Sequence, residues 1–481
     1  MSLKRKLMSG GAWALGGKLV SAACAVLLNL VLTRNLSPAD YGAYFVCFNT
    51  VVILMTVGVL GLDQTAIRLI AVTTAAGHQA TARRIILTCL GLVGVAGVLT
   101  VLALALGARW LFATQLNMPQ ILPSLGIVLC WLFTATLQRQ IAEMFRGLSD
   151  IRLATIFGGL RNNGFLVNAV TCAAAAAFAM AGALTLERVF AIMAVSGVAI
   201  ALLSLAVLRG RVRGGDDTTR EVTSDEHAFE RPGYLLSEAW PLWLSMLVTV
   251  LNNQGVGWLA AKFDVPANVA LYALAQQFAI LLITPAVMGN SIVPPIIAEL
   301  YSRGEMARLE RVSQTVAGLV SIPCAAIFLV LLVGGHALLP IFGAHYGAAY
   351  PLVLIMCAGQ IVNVATGSWQ VVLPMVGQKN QMLALSLFSV VLQAVTGIVG
   401  GHYWGVYGVA SAFCLTMVLS NLAGMLVVRR KLGIWTFVWV DRKVFVDLVA
   451  MAKNKLGKGR AAAPAADGTA AAATQGSKGS A

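Results

Sequence analysis

Four basic side chains lie inside the long apolar runs of this sequence, where charge is costly. A Lys or Arg at the centre of a membrane-spanning helix costs about 2.5–3.5 kcal/mol on insertion scales. Arg in particular binds phosphate through two parallel hydrogen bonds, and Lys binds it as a point charge. We therefore expect these cations to draw an anionic group, most simply a phosphate, into the membrane. The four residues are Lys18, Arg68, Arg139 and Arg161.

A second explanation applies to the same side chains. Long basic side chains near a helix end can extend along the helix and place their charge among lipid headgroups. Arg68 and Arg139 lie near the ends of their apolar runs, so this explanation fits them as well as anion binding does. Lys18 and Arg161 lie deeper, about 10 and 14 Å from the inner ends of their spans at 1.5 Å per residue. For these two we expect a role in a cavity.

Embedded carboxylates are fewer. Asp63 could carry a proton or Na⁺ as a coupling ion, or pair with Arg68 or another cation, and pairing is the simpler role. Glu143 shares one helix face with Arg139 and Arg146 at spacings of three and four residues, so an internal ion pair could neutralise it. The eight cysteines are scattered singly through apolar runs, so we expect neither a metal site nor any other cofactor.

Two further groups of residues could shape a cavity. Asn252, Asn253 and Gln254 fall in the middle of an apolar run, where they could line a cavity suited to a sugar or satisfy one another between helices. Pro294 and Pro295 fall inside another run, and two prolines there predict a kink that could serve as a hinge.

The elements that position these residues are membrane helices. Of 481 residues, 59% are hydrophobic and only 11% charged, and the mean hydropathy is +0.83. Soluble domains carry about 25% charged residues, so this chain must be solvated by lipid. The runs lack alternation and are long enough for helices that cross about 30 Å of hydrocarbon. We predict an all-α polytopic protein with twelve spans, at roughly 11–33, 43–70, 85–107, 121–145, 152–179, 189–208, 238–261, 270–298, 313–334, 350–375, 382–400 and 404–428.

Charge sets the expected topology and domain boundaries. Connections on one side of the membrane carry 26 Lys and Arg with the tail included, against four on the other side. The positive-inside rule therefore places both termini in the cytoplasm, and it accounts for the net charge of +15 without nucleic acid. We expect a first bundle at 1–208, a cytoplasmic linker at 209–235, a second bundle at 236–428 and a basic, Ala/Gly-rich tail at 429–481.

Three loop sequences recur in order at nearly constant offset. The pairs are "LTRNLSPADYGAY" with "LAAKFDVPANVALY", "GHQATARR" with "GEMARLER", and "GLSDIRLA" with "GQKNQMLA", at shifts of 228, 227 and 230 residues. They predict two copies of a six-helix unit that enter the membrane in the same sense. Two such bundles would enclose a central cavity, as in a transporter. All four embedded cations belong to the inner half of the first copy.

The sequence also resembles a known family. The stretch "VLTRNLSPADYGAYFVCFNTVVILMTVGVLGLDQTAIRLIA" resembles the first two helices of bacterial polysaccharide flippases, and "WGVYGVA" is similar to a Gly-rich stretch of theirs. These form the Wzx-like branch of the multidrug/oligosaccharidyl-lipid/polysaccharide exporter superfamily. The resemblance covers about residues 5–430.

The resemblance implies a function. It implies alternating access that carries an undecaprenyl-diphosphate-linked oligosaccharide across the bacterial inner membrane, for exopolysaccharide, capsule or O-antigen assembly. It also implies membrane lipids as partners, and a polysaccharide polymerase and a chain-length regulator downstream. Cationic cavity residues are a trait of these flippases, matched here by Lys18, Arg68, Arg139 and Arg161. The second copy lacks an embedded cation and departs from that pattern.

Two other classes of function fit the sequence less well. A cation-coupled multidrug or metabolite exporter of the same superfamily would favour acidic, aromatic cavities, whereas embedded cations here outnumber clear embedded acids. A membrane polymerase or ligase would need catalytic groups on a large loop. The longest outward connections, 107–120 and 335–350, carry no carboxylate pair, so we do not expect an enzyme.

Overall fold

The chain folds into two bundles of helices, which we call the first and second lobes. The computed structural model describes residues 3–158, 164–213, 231–290, 293–367 and 369–438. Within these ranges every regular element is a helix, which confirms the all-α prediction. The predicted linker, 209–235, lies largely outside the described residues, as does most of the tail.

The first lobe begins with a long helix and continues through seven more. A π-helical turn, Arg109–Gln115, and a 3₁₀ turn, Pro119–Ser124, connect α4 to α5. The helices are α1 (Leu3–Asn35), α2 (Pro38–Val59), α3 (Leu62–Ala75), α4 (Gln79–Ala108), α5 (Leu125–Gly147), α6 (Ile151–Ile156), α7 (Phe165–Met180) and α8 (Leu186–Arg213).

The second lobe repeats this order. Two 3₁₀ turns, Leu339–Phe342 and Ala344–Ala349, connect α12 to α13. The helices are α9 (Pro232–Phe263), α10 (Pro266–Asn290), α11 (Pro294–Ser302), α12 (Met306–Leu338), α13 (Tyr350–Ala365), α14 (Trp369–Met375) and α15 (Lys379–Leu432). The last helix is bent at Gly405, where the backbone leaves helical geometry.

The internal repeat is visible in the turns that the sequence singled out. Pro38 and Pro266 each begin a helix, α2 and α10, where the fixed φ of proline suits the first helical turn. Gly77 and Gly304 both adopt a positive φ, 87° and 73°, at equivalent turns. Glycine is favoured there because other residues meet a steric clash in this region. The two copies therefore share turn geometry as well as helix order.

The described helices are long enough for about twelve crossings of a membrane. Nine stretches are long and apolar enough to span a bilayer, and the last of them, Asn380–Leu432, forms two spans because of its bend. Two shorter apolar helices, Val20–Asn35 and Phe165–Met180, complete the set. We call the end of the bundle at which α9 begins and α15 finishes the linker end, and the opposite end the far end.

Several spans are broken in their linker-end halves. Leu60 and Gly61, with φ of 53° and 73°, separate α2 from α3. At the equivalent place in the second lobe, α10 ends at Asn290 and α11 begins at Pro294. Pro294 therefore begins the new helix directly after Val293, which lies outside it, and residues 291 and 292 lie outside the described residues. The side chain of Pro295 lies outside the described part of the structure.

The hydrophobic cores show how the lobes meet. At the far end one continuous core includes Tyr41 of the first lobe and Tyr272 and Tyr346 of the second. At the linker end there are two separate cores. The first of these contains Phe145 and combines residues of the first lobe with the start of α9. The second contains Trp369 and lies in the second lobe. The two lobes thus share one large core at the far end, whereas at the linker end each lobe has a core of its own and the start of α9 packs into that of the first lobe.

Close backbone approach holds the far end together. A Cβ atom built on Gly42 of α2 would overlap the carbonyl oxygen of Pro266 at the start of α10. The Tyr41 and Tyr346 rings meet edge to face with centroids 5.9 Å apart. Arg34 donates from Nε to the carbonyl oxygen of Ile341 at 2.7 Å. Packing at this junction depends on the absence of a side chain at position 42.

The substitution Gly42→Val tests this packing. The added side chain has to push α2 away from α10, and such overpacking costs about 1–3 kcal/mol. We expect a lower unfolding temperature of the purified protein and faster labelling of the buried thiol of Cys47 by a maleimide. Gly91→Val is the matched control, because nothing lies within 4 Å of a Cβ at Gly91. Equal effects of the two substitutions would contradict the interface.

Candidate functional site

An ion pair is buried in the first lobe between two of the residues that the sequence singled out. Arg139 on α5 donates to Oδ2 of Asp63 on α3 from Nε at 3.0 Å and from Nη2 at 2.7 Å. Its Nη1 donates to the hydroxyl of Thr56 at 3.0 Å. Arg139 is 3% exposed and Asp63 is 1% exposed. The guanidinium is therefore held by protein acceptors on both sides.

The break between α2 and α3 explains why Asp63 can be buried there. Because α3 starts anew at Leu62, Asp63 lies in a first helical turn, where free N–H groups and the helix dipole favour a carboxylate. Its Oδ1 accepts from the backbone N–H of Gln64 at 2.9 Å. An uninterrupted helix would offer no such donors to Asp63.

Helix α9 of the second lobe covers this ion pair. The sulfur of Met246 lies 3.5 Å from Nη2 of Arg139. The indole of Trp243 donates to the carbonyl oxygen of Thr56 at 3.2 Å. A Cβ on Gly61 would meet the backbone nitrogen of Trp243 at 2.9 Å, so α9 crosses directly over the break. The pair thus lies where the two lobes touch.

Glu143 and Arg68 have partners of their own. Both carboxylate oxygens of Glu143 accept from Nη1 of Arg146 at 2.7 Å. Glu143 is buried, and Arg146 extends toward the surface. Arg68 forms a hydrogen-bonded ion pair with Glu238 at the start of α9, and its side chain is 57% exposed. Each embedded acid that the sequence identified is therefore bound to an arginine.

The other two cations fall outside the described side chains. The side chain of Lys18 is not described, although its helix α1 is, and Arg161 lies outside the described residues altogether. Their flanking residues are informative. A Cβ on Gly17 would overlap the Thr155 methyl group, and Asn168 donates a hydrogen bond to Ser21. The segments on both sides of Lys18 thus contact the segments on both sides of Arg161.

The polar residues in the middle of α9 have neighbours within the second lobe. The carbonyl oxygen of the Asn252 side chain accepts from the Ser389 hydroxyl at 3.3 Å. Asn253 is exposed and donates to the Thr249 carbonyl of its own helix at 2.8 Å. Gln254 is half-buried. Asn252 thus connects helices within the lobe, whereas Asn253 presents a polar surface.

Several buried amides of the second lobe were missed by the sequence analysis. Gln276, Gln360 and Gln393 are each less than a tenth exposed. Neither amide atom of Gln393 has a hydrogen-bond partner among the described residues. Isolated Gln residues inside apolar runs are the signal that could have identified them. Around these amides the interior of the second lobe is polar but uncharged, whereas the interior of the first lobe contains charged side chains.

Comparison with known proteins identifies the fold. Residues 7–300 match the family described as polysaccharide biosynthesis protein. None of the curated proteins compared with the chain is significantly similar to it in sequence. A multidrug resistance MATE family transporter of the MOP superfamily, in an inward-facing conformation, superposes with a TM-score of 0.73. It is 14% identical, and the match covers 88% of this chain and 98% of that one.

Two further solved structures share this fold. A MOP superfamily transporter from Pyrococcus furiosus, described as having a binding pocket of reverse polarity, gives a TM-score of 0.62 at 15% identity. An outward-facing MATE transporter gives 0.60 at 15% identity. Each match covers 89% of this chain and 96% of the other. The fold is that of multi-pass membrane transporters.

Removal of either member of the buried ion pair should destabilise the protein strongly. Asp63→Asn and Arg139→Gln each leave one buried charge without its partner, which costs about 3–5 kcal/mol. We expect the double variant to lose less stability than the sum of the two single variants, measured as unfolding in mixed detergent micelles. Arg68→Gln with Glu238→Gln is the control, since an exposed pair contributes at most about 1 kcal/mol. Strictly additive effects at Asp63 and Arg139 would contradict the coupling.

Proposed function

This chain belongs to the polysaccharide biosynthesis protein family, and from that premise we propose that it is a flippase for a lipid-linked oligosaccharide. Its cargo would be an oligosaccharide repeat unit on undecaprenyl diphosphate, moved from the cytoplasmic to the periplasmic leaflet of the bacterial inner membrane. The linker end would face the cytoplasm, in accordance with its excess of Lys and Arg. A polysaccharide polymerase and a chain-length regulator would then use the exported unit.

The main support is the charge balance in the first lobe. The two embedded carboxylates, Asp63 and Glu143, are neutralised by Arg139 and Arg146. Lys18 and Arg161 then supply positive charge without an embedded acid left to neutralise it. The residues that flank them contact each other across α1, α6 and α7. Two cations on adjoining segments suit the two phosphoryl groups of a diphosphate.

We assign different roles to the four embedded cations. Lys18 and Arg161 would bind the diphosphate. Arg68, largely exposed beside Glu238, would attract the headgroup at the entrance. Arg139 would hold the α2–α3 break in position, because its donors are occupied by Asp63 and Thr56. Only part of the cationic cluster would therefore contact the substrate.

The transport cycle would use the arrangement of the cores. The lobes share less core at the linker end than at the far end, so they would part there, with the start of α9 leaving the core of the first lobe, and admit the headgroup while the lipid chain stays in the bilayer. Polar side chains of α9, such as Asn253 and Gln254, would face the sugars. Rocking of the lobes would then open the far end, with the span interruption before Pro294 and Pro295 as a hinge.

Export of a drug or metabolite is the second candidate, and the fold of the MATE structures supports it. A site for a cationic drug needs a free carboxylate, however, and Asp63 and Glu143 are both bound to arginines. An H⁺ or Na⁺ that couples transport through Asp63 would have to displace Arg139. The paired state of these acids favours the flippase.

Transport by the double variant Lys18→Ala with Arg161→Ala tests the proposal. Two charge-assisted hydrogen bonds to phosphate contribute about 1.5–3 kcal/mol each. We therefore expect at least about a hundredfold slower flipping of an undecaprenyl-diphosphate oligosaccharide in proteoliposomes. Arg109→Ala with Lys262→Ala is the control, since it removes two exposed cations at the far end.

Two results would count against the flippase. One is unchanged flipping by the Lys18 and Arg161 variant. The other is a wild-type protein that fails to flip the lipid but confers resistance to cationic drugs on a sensitive strain, which would favour the exporter.

A further inference from the structure

The segment after the last helix folds back onto the second lobe. Helix α15 ends at Leu432, and Gly433, with φ 74°, reverses the chain direction. We call residues 433–438 the strap. The backbone N–H of Trp435 donates to Oε1 of Glu310 on α12 at 2.9 Å. The carbonyl oxygen of Trp435 accepts from the side-chain amide of Gln314 at 3.1 Å. The strap is therefore tied to the start of α12.

The strap is also tied to the break between α13 and α14. The Thr436 hydroxyl donates to the backbone carbonyl oxygen of Thr366 at 2.8 Å. The backbone N–H of Val438 donates to the carbonyl oxygen of Ala365 at 2.9 Å. Thr436 is fully buried. A Cβ on Gly367 would overlap the carbonyl oxygen of Thr436, so only glycine fits there. The broken span supplies acceptors that an intact helix would use internally.

An open apolar groove lies beside the strap. It has a volume of about 520 Å³ and is lined by Gln314, Met425, Trp435 and Phe437. Trp435 is 38% exposed and Phe437 is 52% exposed. Met425 lies seven residues before the end of α15, so the groove reaches about 10 Å along the helix at 1.5 Å per residue. That depth suits the first part of an acyl chain.

Basic residues lie at the linker-end mouth of this groove. The last turn of α15 carries Arg429, Arg430 and Lys431, all exposed, and of these Arg429 shares the helix face of the groove residue Met425, four positions before it. The guanidinium carbon of Arg429 lies 5.2 Å from the centroid of the Trp435 ring. Arg311 precedes the groove residue Gln314 by three positions, on the same face of α12. The acid at this rim is Glu310, which accepts the N–H of Trp435.

Favourable interaction with the helix dipole accounts for cations in the last turn of α15. It does not account for an exposed apolar groove beside Arg429, or for Arg311 on another helix. The combination of an apolar groove and a basic rim matches a molecule with an anionic headgroup and an acyl chain.

We propose that the groove beside the strap binds an anionic glycerophospholipid. The phosphate would lie between Arg311 and Arg429, and one acyl chain would pack against Met425, Trp435 and Phe437. Lipid in this position would hold the strap against α12 and the α13–α14 break. The site lies in the second lobe and does not depend on the identity of the transported substrate.

Native mass spectrometry of the full-length protein in detergent tests the proposal. Phosphatidylglycerol and phosphatidylcholine with the same acyl chains are the two probes. We expect the wild type to retain phosphatidylglycerol preferentially. Each basic residue removed should weaken this binding about fivefold. The double variant Arg311→Gln with Arg429→Gln should therefore lose about 25-fold in affinity and with it the preference for the anionic lipid.

Two controls separate the headgroup from the chain. Arg83→Gln with Arg84→Gln removes two cations from a linker-end turn of the first lobe and should leave binding unchanged. Met425→Trp fills the groove and should lower the affinity for both lipids while the rim charges remain. Circular dichroism and gel filtration identify a variant that has lost its fold, and the wild-type preference between the two lipids is informative without any variant.

Three results would overturn the proposal. The first is equal retention of the two lipids by the wild type. The second is unchanged phosphatidylglycerol binding in a folded double variant. The third is full displacement of the lipid by millimolar glycerol 3-phosphate, which would mean that the rim binds phosphate without an acyl chain.

Discussion

The buried pair of Asp63 and Arg139 is the interaction on which the first lobe depends. An isolated charge in this environment is very costly, so each residue is tolerated only because of the other. The pair requires the break after α2, since the new helix start supplies the N–H groups around Asp63. The break in turn requires Gly61, where α9 crosses too closely for a side chain. One electrostatic requirement thereby fixes a helix interruption, a glycine and a contact between lobes.

The repeat and the turns could be predicted from sequence because they are local. Pro38 and Pro266 begin helices, and Gly77 and Gly304 adopt a positive φ, as their residue types favour. Pairing of Asp63 could be anticipated as well. Its partner could not be identified from the sequence. The break at Leu60 reorients α3, and as a result Asp63 faces Arg139 and not Arg68. Leu60 itself gives no signal, since a positive φ is unusual for leucine.

The second lobe shows the same limit. Its lack of embedded cations was evident from the sequence, but the buried Gln276, Gln360 and Gln393 depend on helix rotation, which an apolar run does not specify. The strap was predicted only as the start of a basic tail. Its bonds to Glu310 and Thr366 join residues 125 and 70 positions apart, respectively. Contacts at that separation follow from the tertiary fold.

The division of the hydrophobic interior has a thermodynamic consequence. Separation of the lobes at the far end would expose apolar surface around Tyr41, Tyr272 and Tyr346 to water. This exposure costs a free energy of about 25 cal/mol for each Å² of apolar surface. Separation at the linker end would expose less shared surface, since there the only described residues of the second lobe that are buried in the core of the first lobe are Leu235 and Ala239, at the start of α9. In the proposed transport cycle this difference would bias the empty protein toward one of two states, and a ligand would shift the populations only as far as it binds the rarer state better. After release of the ligand, the protein would return to its starting state without any further input of free energy.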